Sequence, residues 1–179
     1  SSALRYSPQN AALRRGDFGK ILGADCYSPH TVEPTHPDFG FYGIHGVETL
    51  YTLLGTGCEA VSRIHSPMGD IVSGRWNDGR LGTFRAVVKG PAVYGGTAFT
   101  EKGTVAAGGY AGYKVLLDEI LRYFKSGASP VSKEETLEIF TFMKASNMSL
   151  ERGGRTVMMD EAYAEGMKEA RRLLEAYDE

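Results

Sequence analysis

His36 to Gly55 reads H-P-D-F-G-F-Y-G-I-H-G-V-E-T-L-Y-T-L-L-G, a turn-rich loop that runs into a periodic apolar segment. Ile44, Val47, Tyr51 and Leu54 recur at i, i+3, i+7 and i+10, which predicts an amphipathic helix from about Ile44 with one buried stripe. His45, Glu48, Thr49 and Thr52 form a second, polar stripe. An imidazole therefore falls in the first turn of a packed helix, beside a loop that carries Tyr42 and His36. Loops held by a rigid element are where sites concentrate.

Upstream of this junction, Ser1 to Tyr6 reads as a short strand, Pro8 to Arg15 as one or two helical turns stopped by Gly16, and Lys20 to Tyr27 as extended chain. Pro29 to Gly40 holds three prolines and two histidines and predicts an ordered loop. Downstream, from Cys58 to about Val105, alternating residues and turn signals predict four or five antiparallel strands in a meander. Asn77-Asp78-Gly79 between Trp76 and Leu81 is the strongest hairpin signal, because glycine tolerates the positive φ of a tight turn. Gly90-Pro91 and Lys102-Gly103 mark the next reversals. Trp76 reads as a sheet-face or interface aromatic.

A helix is predicted from about Ala111 to Lys125, with Tyr113, Leu116, Leu117, Ile120 and Phe124 on one face and Gly127 as its stop. Ser132-Lys133-Glu134-Glu135 is a capping box opening the next helix, with Ile139, Phe140 and Met143 inward. Arg155 to Met159 reads as extended. A last helix follows from Asp160 with Tyr163, Met167, Ala170, Leu174 and Tyr177 on one face. The sum is an α+β fold: a largely antiparallel open sheet with helices on one face. Strands 69–76 and 81–88 carry apolar groups on both alternating sets, so the bare face predicts a homo-oligomer formed through the sheet.

The chain has 179 residues, a length at which a single domain spanning 1–179 is expected. With 20 basic and 22 acidic residues, a net charge of -2 and no block of one sign, nothing calls for nucleic acid or an anionic membrane. No apolar run approaches the ~20 residues that span a bilayer, and no signal peptide is evident. Cys26 and Cys58 lack C-x-x-C spacing and lie in apolar stretches, which predicts buried free thiols and a reducing, cytoplasmic setting. The absent initiator Met suggests a piece of a longer polypeptide.

Among possible chemical groups His45 stands out, because the positive end of a helix dipole disfavours imidazolium and leaves a neutral ring able to accept a proton. The alternative is a histidine that merely packs beneath the loop. Glu48, one turn on, could orient it or be solvated. His36 and Tyr42 could hydrogen-bond a polar substrate or serve loop packing. Arg5 could clamp an anionic group, although a structural ion pair is the commoner fate of such an arginine. The four histidines lack zinc-site spacing, so no metal is expected. No G-x-S-x-G elbow exists, and Gly16-x-x-Gly19, Gly55-x-Gly57 and Gly108-Gly109-x-x-Gly112 all fail the dinucleotide fingerprint.

Taken in order, S-S-A-L-R-Y-S-P, L-R-R-G-D-F-G-K-I-L-G-A, F-Y-G-I-H-G-V-E-T-L, W-N-D-G-R-L-G-T-F, Y-G-G-T-A-F and P-V-S-K-E-E-T-L-E-I-F-T-F-M-K-A-S resemble the C-terminal domain of the Gfo/Idh/MocA oxidoreductases over nearly the whole chain. The resemblance implies a glyceraldehyde-3-phosphate dehydrogenase-like C-terminal domain that binds substrate and oligomerises. Its implied parent transfers hydride between NAD or NADP and a sugar or cyclitol. The cofactor would be bound by a Rossmann half that this chain lacks, so this polypeptide alone is expected not to turn over. His45 matches the histidine that takes the hydroxyl proton. The family often places Asp four residues earlier; here that residue is Phe41, and Tyr42 is the available substitute. A non-catalytic binding or assembly domain that kept the fold and lost its redox partner is the competing expectation.

Overall fold

The helix expected from Ile44 is present in the computed structural model of the chain, which describes residues 2–31, 33–36 and 38–177. In chain order the helices are α1 (Pro8–Arg15), α2 (Gly43–Leu54), α3 (Lys114–Ser126), α4 (Lys133–Glu151) and α5 (Met159–Tyr177). The strands are β1 (Ile21–Pro29), β2 (Cys58–Ser66), β3 (Gly69–Trp76), β4 (Leu81–Val87), β5 (Gly95–Thr100), β6 (Gly103–Ala107) and β7 (Val157–Met158). They form one open seven-stranded sheet in the order β6-β5-β1-β4-β3-β2-β7.

The α+β class and the open sheet are as expected, and every strand pair is antiparallel except β1 with β4. The five strands after Cys58 do not make one meander. β1 inserts between β4 and β5, parallel to the first with Cys26 opposite Phe84, and antiparallel to the second with Cys26 opposite Gly96. The 88–94 connection therefore has to cross the end of β1. That crossing brings its last residue, Tyr94, to the side where α2 begins.

The Asn77-Asp78-Gly79 hairpin forms as expected, with Gly79 at φ 86°. Trp76 N–H donates to Arg80 O at 2.9 Å to close it. Trp76 itself is a core residue and not an interface aromatic: it is buried, and its Nε1–H donates to Gly55 O at 2.9 Å. The inward sides of the strands supply Ala24, Cys26, Val61, Val72, Phe84, Ala86 and Ala98, which pack with Val47, Leu50 and Tyr51 of α2 and with Phe142 of α4. Thr49 and Thr52, expected on a polar stripe, are buried, and their hydroxyls donate to the carbonyls of His45 and Glu48 at 2.9 and 2.6 Å. On α4 the inward residues are Ile139, Phe142 and Met143, while Phe140 points out.

Three further expectations are corrected. Ala3–Tyr6 is a short 3-10 helix and not a strand, because Ser2 and Ser7 cap it at each end; Ser1 lies outside the described residues. α3 ends at Gly127 as predicted, yet none of its residues is buried, and Tyr113, Leu117, Ile120 and Phe124 stand exposed. Ser132 accepts the Glu135 N–H at 3.0 Å, but Glu135 spends its carboxylate on Arg5 and does not close the capping box. Cys26 and Cys58 are buried and free, as expected. Burial raises both thiols, Cys58 to about 12. No helix of the described residues is long and apolar enough to cross a membrane.

Candidate functional site

The start of α2 is held against the sheet by small residues and a buried charge network. A Cβ on Gly46 would lie 2.3 Å from Phe84 Cε2 and 2.9 Å from Ser28 Oγ, so glycine is what lets the helix approach β4 and β1. Ser28 Oγ is also within 3.3 and 3.4 Å of the carbonyls of Tyr42 and Gly43. Just before the helix, Asp38 opens the 3-10 turn Asp38–Gly40 and is paired with the guanidinium of Arg63 on β2. Arg63 is buried; its Nε donates to Asp70 Oδ1 at 2.9 Å and its Nη1 to Asn147 Oδ1 at 3.0 Å. Its guanidinium carbon lies 4.2 Å from the centre of the Phe39 ring, and His30 meets that ring edge-on at 4.9 Å.

This network ties the 30–40 loop to β2, β3 and α4 before the loop reaches His45. His30 Nε2 is 3.5 Å from Asp38 Oδ1, and His65 Nδ1 is 2.8 Å from Asp70 Oδ1. Burial lowers the His30 pKa below its ordinary value, with Asp38 and Asp70 acting in the opposite sense. Sequence reasoning missed the cluster, because its members are scattered from residue 30 to residue 147.

His45 sits in the first turn of α2, its backbone N–H donating to Tyr42 O at 3.2 Å. Its side chain is 35% exposed, while Nδ1 is enclosed and makes no hydrogen bond among the described residues; Glu48 Oε2 lies 3.8 Å from it. That separation is too long for a hydrogen bond and short enough for electrostatic attraction.

Aromatic rings connect three of the predicted residues. His36 meets Phe41 at 5.4 Å between centroids, Phe41 meets Tyr42 at 4.5 Å, and Tyr42 meets His45 at 6.3 Å. His45 continues the series to Tyr94 at 6.0 Å, the first residue of Y-G-G-T-A-F, which nothing in the sequence marked as part of the site. Phe41 therefore bridges His36 and Tyr42 through its ring. Arg5 does not take part: it is buried and paired with Glu135 of α4, the structural fate named as commoner for it.

The one glycine-rich passage that precedes a helix is packed against protein. In the glycine-rich passage from β6 to α3, a Cβ on Gly108 would meet Ser7 Oγ at 2.3 Å, and one on Gly109 would meet Tyr94 O at 2.8 Å. Those glycines serve close packing against the protein and not against a phosphate. Among the described residues no group of three or more His, Cys, Asp or Glu is placed to hold a metal ion.

No family model and no curated protein matches the sequence. The fold, in contrast, is shared with solved dehydrogenases. Myo-inositol dehydrogenase from Lactobacillus casei, solved with NAD(H) and myo-inositol, aligns with a TM-score of 0.65 at 14% identity, over 88% of this chain and 60% of its own. Myo-inositol dehydrogenase from Corynebacterium glutamicum gives 0.67 at 16% identity, over 87% of this chain and 62% of its own. The WlbA dehydrogenase from Bordetella pertussis, solved with NADH and UDP-GlcNAcA, gives 0.62 at 18% identity, over 83% and 57%. The fold is that of the C-terminal domains of Gfo/Idh/MocA dehydrogenases, as the sequence resemblance implied. This chain spans between 57% and 62% of the length of these three neighbours.

Proposed function

We propose that this chain is the substrate-binding and oligomerisation domain of a nicotinamide-dependent oxidoreductase that acts on a sugar or cyclitol. One arrangement carries the reading: an imidazole in the first turn of a helix, with one nitrogen enclosed near Glu48 and tyrosine rings beside it. Glu48 favours the tautomer with the proton on Nδ1, which leaves the Nε2 lone pair to accept a proton. His45 takes the hydroxyl proton of the substrate through Nε2, while Tyr42 and His36 meet its other hydroxyls. Hydride acceptance belongs to NAD or NADP held by a separate domain, and no residue of this chain is assigned to it. The chain by itself is not catalytically competent.

The open sheet face exposes Leu22, Ile64, Leu81 and Phe99, which supports self-association through that face. The two free, buried thiols suit a reducing compartment such as the cytoplasm.

The test is the kinetics of the complete enzyme that this reading requires, in which a cofactor-binding domain accompanies this one. His45→Ala is expected to lower kcat by about 10²–10⁴ and to change KM little, as when a proton acceptor used in the transition state is removed. An unchanged kcat removes His45 from the mechanism.

A further inference from the structure

We infer that Tyr94 is a specificity-determining residue of this site, a second aromatic wall beside His45 against which a polyhydroxylated ring lies. The inference rests on the reading under Proposed function and adds a residue and a recognition chemistry to it. Tyrosines from three stretches far apart in the chain come near one another, two of them against His45. Tyr42 precedes α2, Tyr94 ends the 88–94 connection, and Tyr110 and Tyr113 lie in the passage from β6 to α3. Tyr94 lies 6.0 Å from His45 between ring centroids, about as close as Tyr42 at 6.3 Å, and Tyr110 meets Tyr113 at 5.2 Å.

Burial first, then the neighbouring Tyr42 and Tyr113 phenols, push the Tyr94 pKa up, which places the three within electrostatic reach of one another. Tyr42, Tyr110 and Tyr113 remain 40%, 55% and 61% exposed, an unusual density of accessible rings outside a core.

Backbone packing fixes the position of Tyr94. Its carbonyl oxygen would be 2.8 Å from a Cβ on Gly109, and the next residue, Gly95, would carry a Cβ 2.6 Å from Tyr27 Oη. Both glycines admit close neighbours that hold the Tyr94 backbone in place on each side. An aromatic ring on a fixed backbone, beside a proton acceptor, suits a substrate with two chemistries at once. The apolar C–H face of a saturated ring lies on an aromatic face, and a phenol that both donates and accepts matches a hydroxyl that does the same. Polyhydroxylated rings combine the two.

The experiment measures steady-state kinetics of the complete enzyme with myo-inositol and a panel of pyranoses, comparing wild type, Tyr94→Phe and Tyr94→Leu. Tyr94→Leu removes the ring face and is expected to raise KM about tenfold, with kcat altered less than about threefold. Tyr94→Phe keeps the face, loses the phenol and is expected to raise KM about threefold. The pH dependence of kcat stays that of the wild type in both, because the proton acceptor is untouched. Should the leucine variant melt well below the wild type, the phenylalanine variant decides alone. Wild-type turnover with KM unchanged in the folded variants overturns this inference and leaves the function standing. A wild type that turns over no polyol removes both.

Discussion

Replacing Gly46 by alanine tests how the site is mounted, because the same substitution elsewhere in the chain should act in the opposite direction. A Cβ at Gly46 would stand 2.3 Å from Phe84 Cε2, 2.7 Å from Phe84 Cδ2 and 2.9 Å from Ser28 Oγ. Ordinary carbon contacts lie at about 3.5–4.0 Å, so α2 or the Phe84 ring must move by about an ångström. Phe84 has little room: it is fully buried and meets Phe39 edge-on at 5.2 Å. Overpacking of this kind costs about 1–3 kcal/mol, and the gain in helix propensity returns about 0.8–1.0 kcal/mol of it. The severity of the contact puts the cost toward the upper end, for a net loss of about 1–2 kcal/mol.

For a chain of this size each kcal/mol moves Tm by about 2–4 °C, so Gly46→Ala should melt about 2–8 °C below the wild type. Gly166 in α5 is the control, since a Cβ there meets nothing within 4 Å. Gly166→Ala should gain about 0.5–1 kcal/mol from propensity alone and melt about 1–4 °C higher. Thermal melts followed by circular dichroism measure both. A Gly46→Ala protein as stable as the wild type refutes the reasoning, as does a pair of variants that shift in the same direction.

Arg63→Met strands the carboxylates of Asp38 and Asp70 without their shared partner, and Asp70 is buried. Removing one member of a buried ion pair costs about 3–5 kcal/mol; urea denaturation reading a loss below about 1 kcal/mol would show that the network is not what holds the loop. His30 gives a pH dependence with a definite sign. Its folded pKa lies below its ordinary value because of burial, so as pH falls through about 6.5 the unfolded chain takes up the proton first and stability declines. The decline attributable to this one group is bounded at about 1.4 kcal/mol per pH unit. His30→Gln should flatten the stability profile below that pH, and equal slopes in the two proteins would contradict the assignment.

The candidate site shows where a linear reading succeeds and where it stops. His45, Tyr42 and His36 are close in sequence, and a loop followed by a helix leaves them few ways to be far apart; the structure links them through Phe41. Glu48 follows from helical spacing alone, being one turn after His45. Tyr94 was not legible, because it reaches His45 only when the 88–94 connection crosses the end of β1. Arg5 was legible as a charged residue but not as a partner, since Glu135 is distant in sequence and its helical position pointed to a local cap.

By itself the sequence determined the elements whose causes are local. Periodic apolar residues placed α2, the Asn77-Asp78-Gly79 turn joined β3 to β4, Ser132 opened α4 and Gly127 ended α3. These depend on backbone sterics, caps and side-chain spacing, which act over a few residues. Only the tertiary structure decided that β1 lies between β4 and β5, that Arg63 joins Asp38 to Asp70, and that α3 stays uncovered among the described residues. Strand order and charge pairing are set by which surfaces can be buried together, and that competition is settled across the whole chain. At His45 the two meet, since a local pattern set the imidazole at a helix start and the crossing over β1 brought Tyr94 beside it.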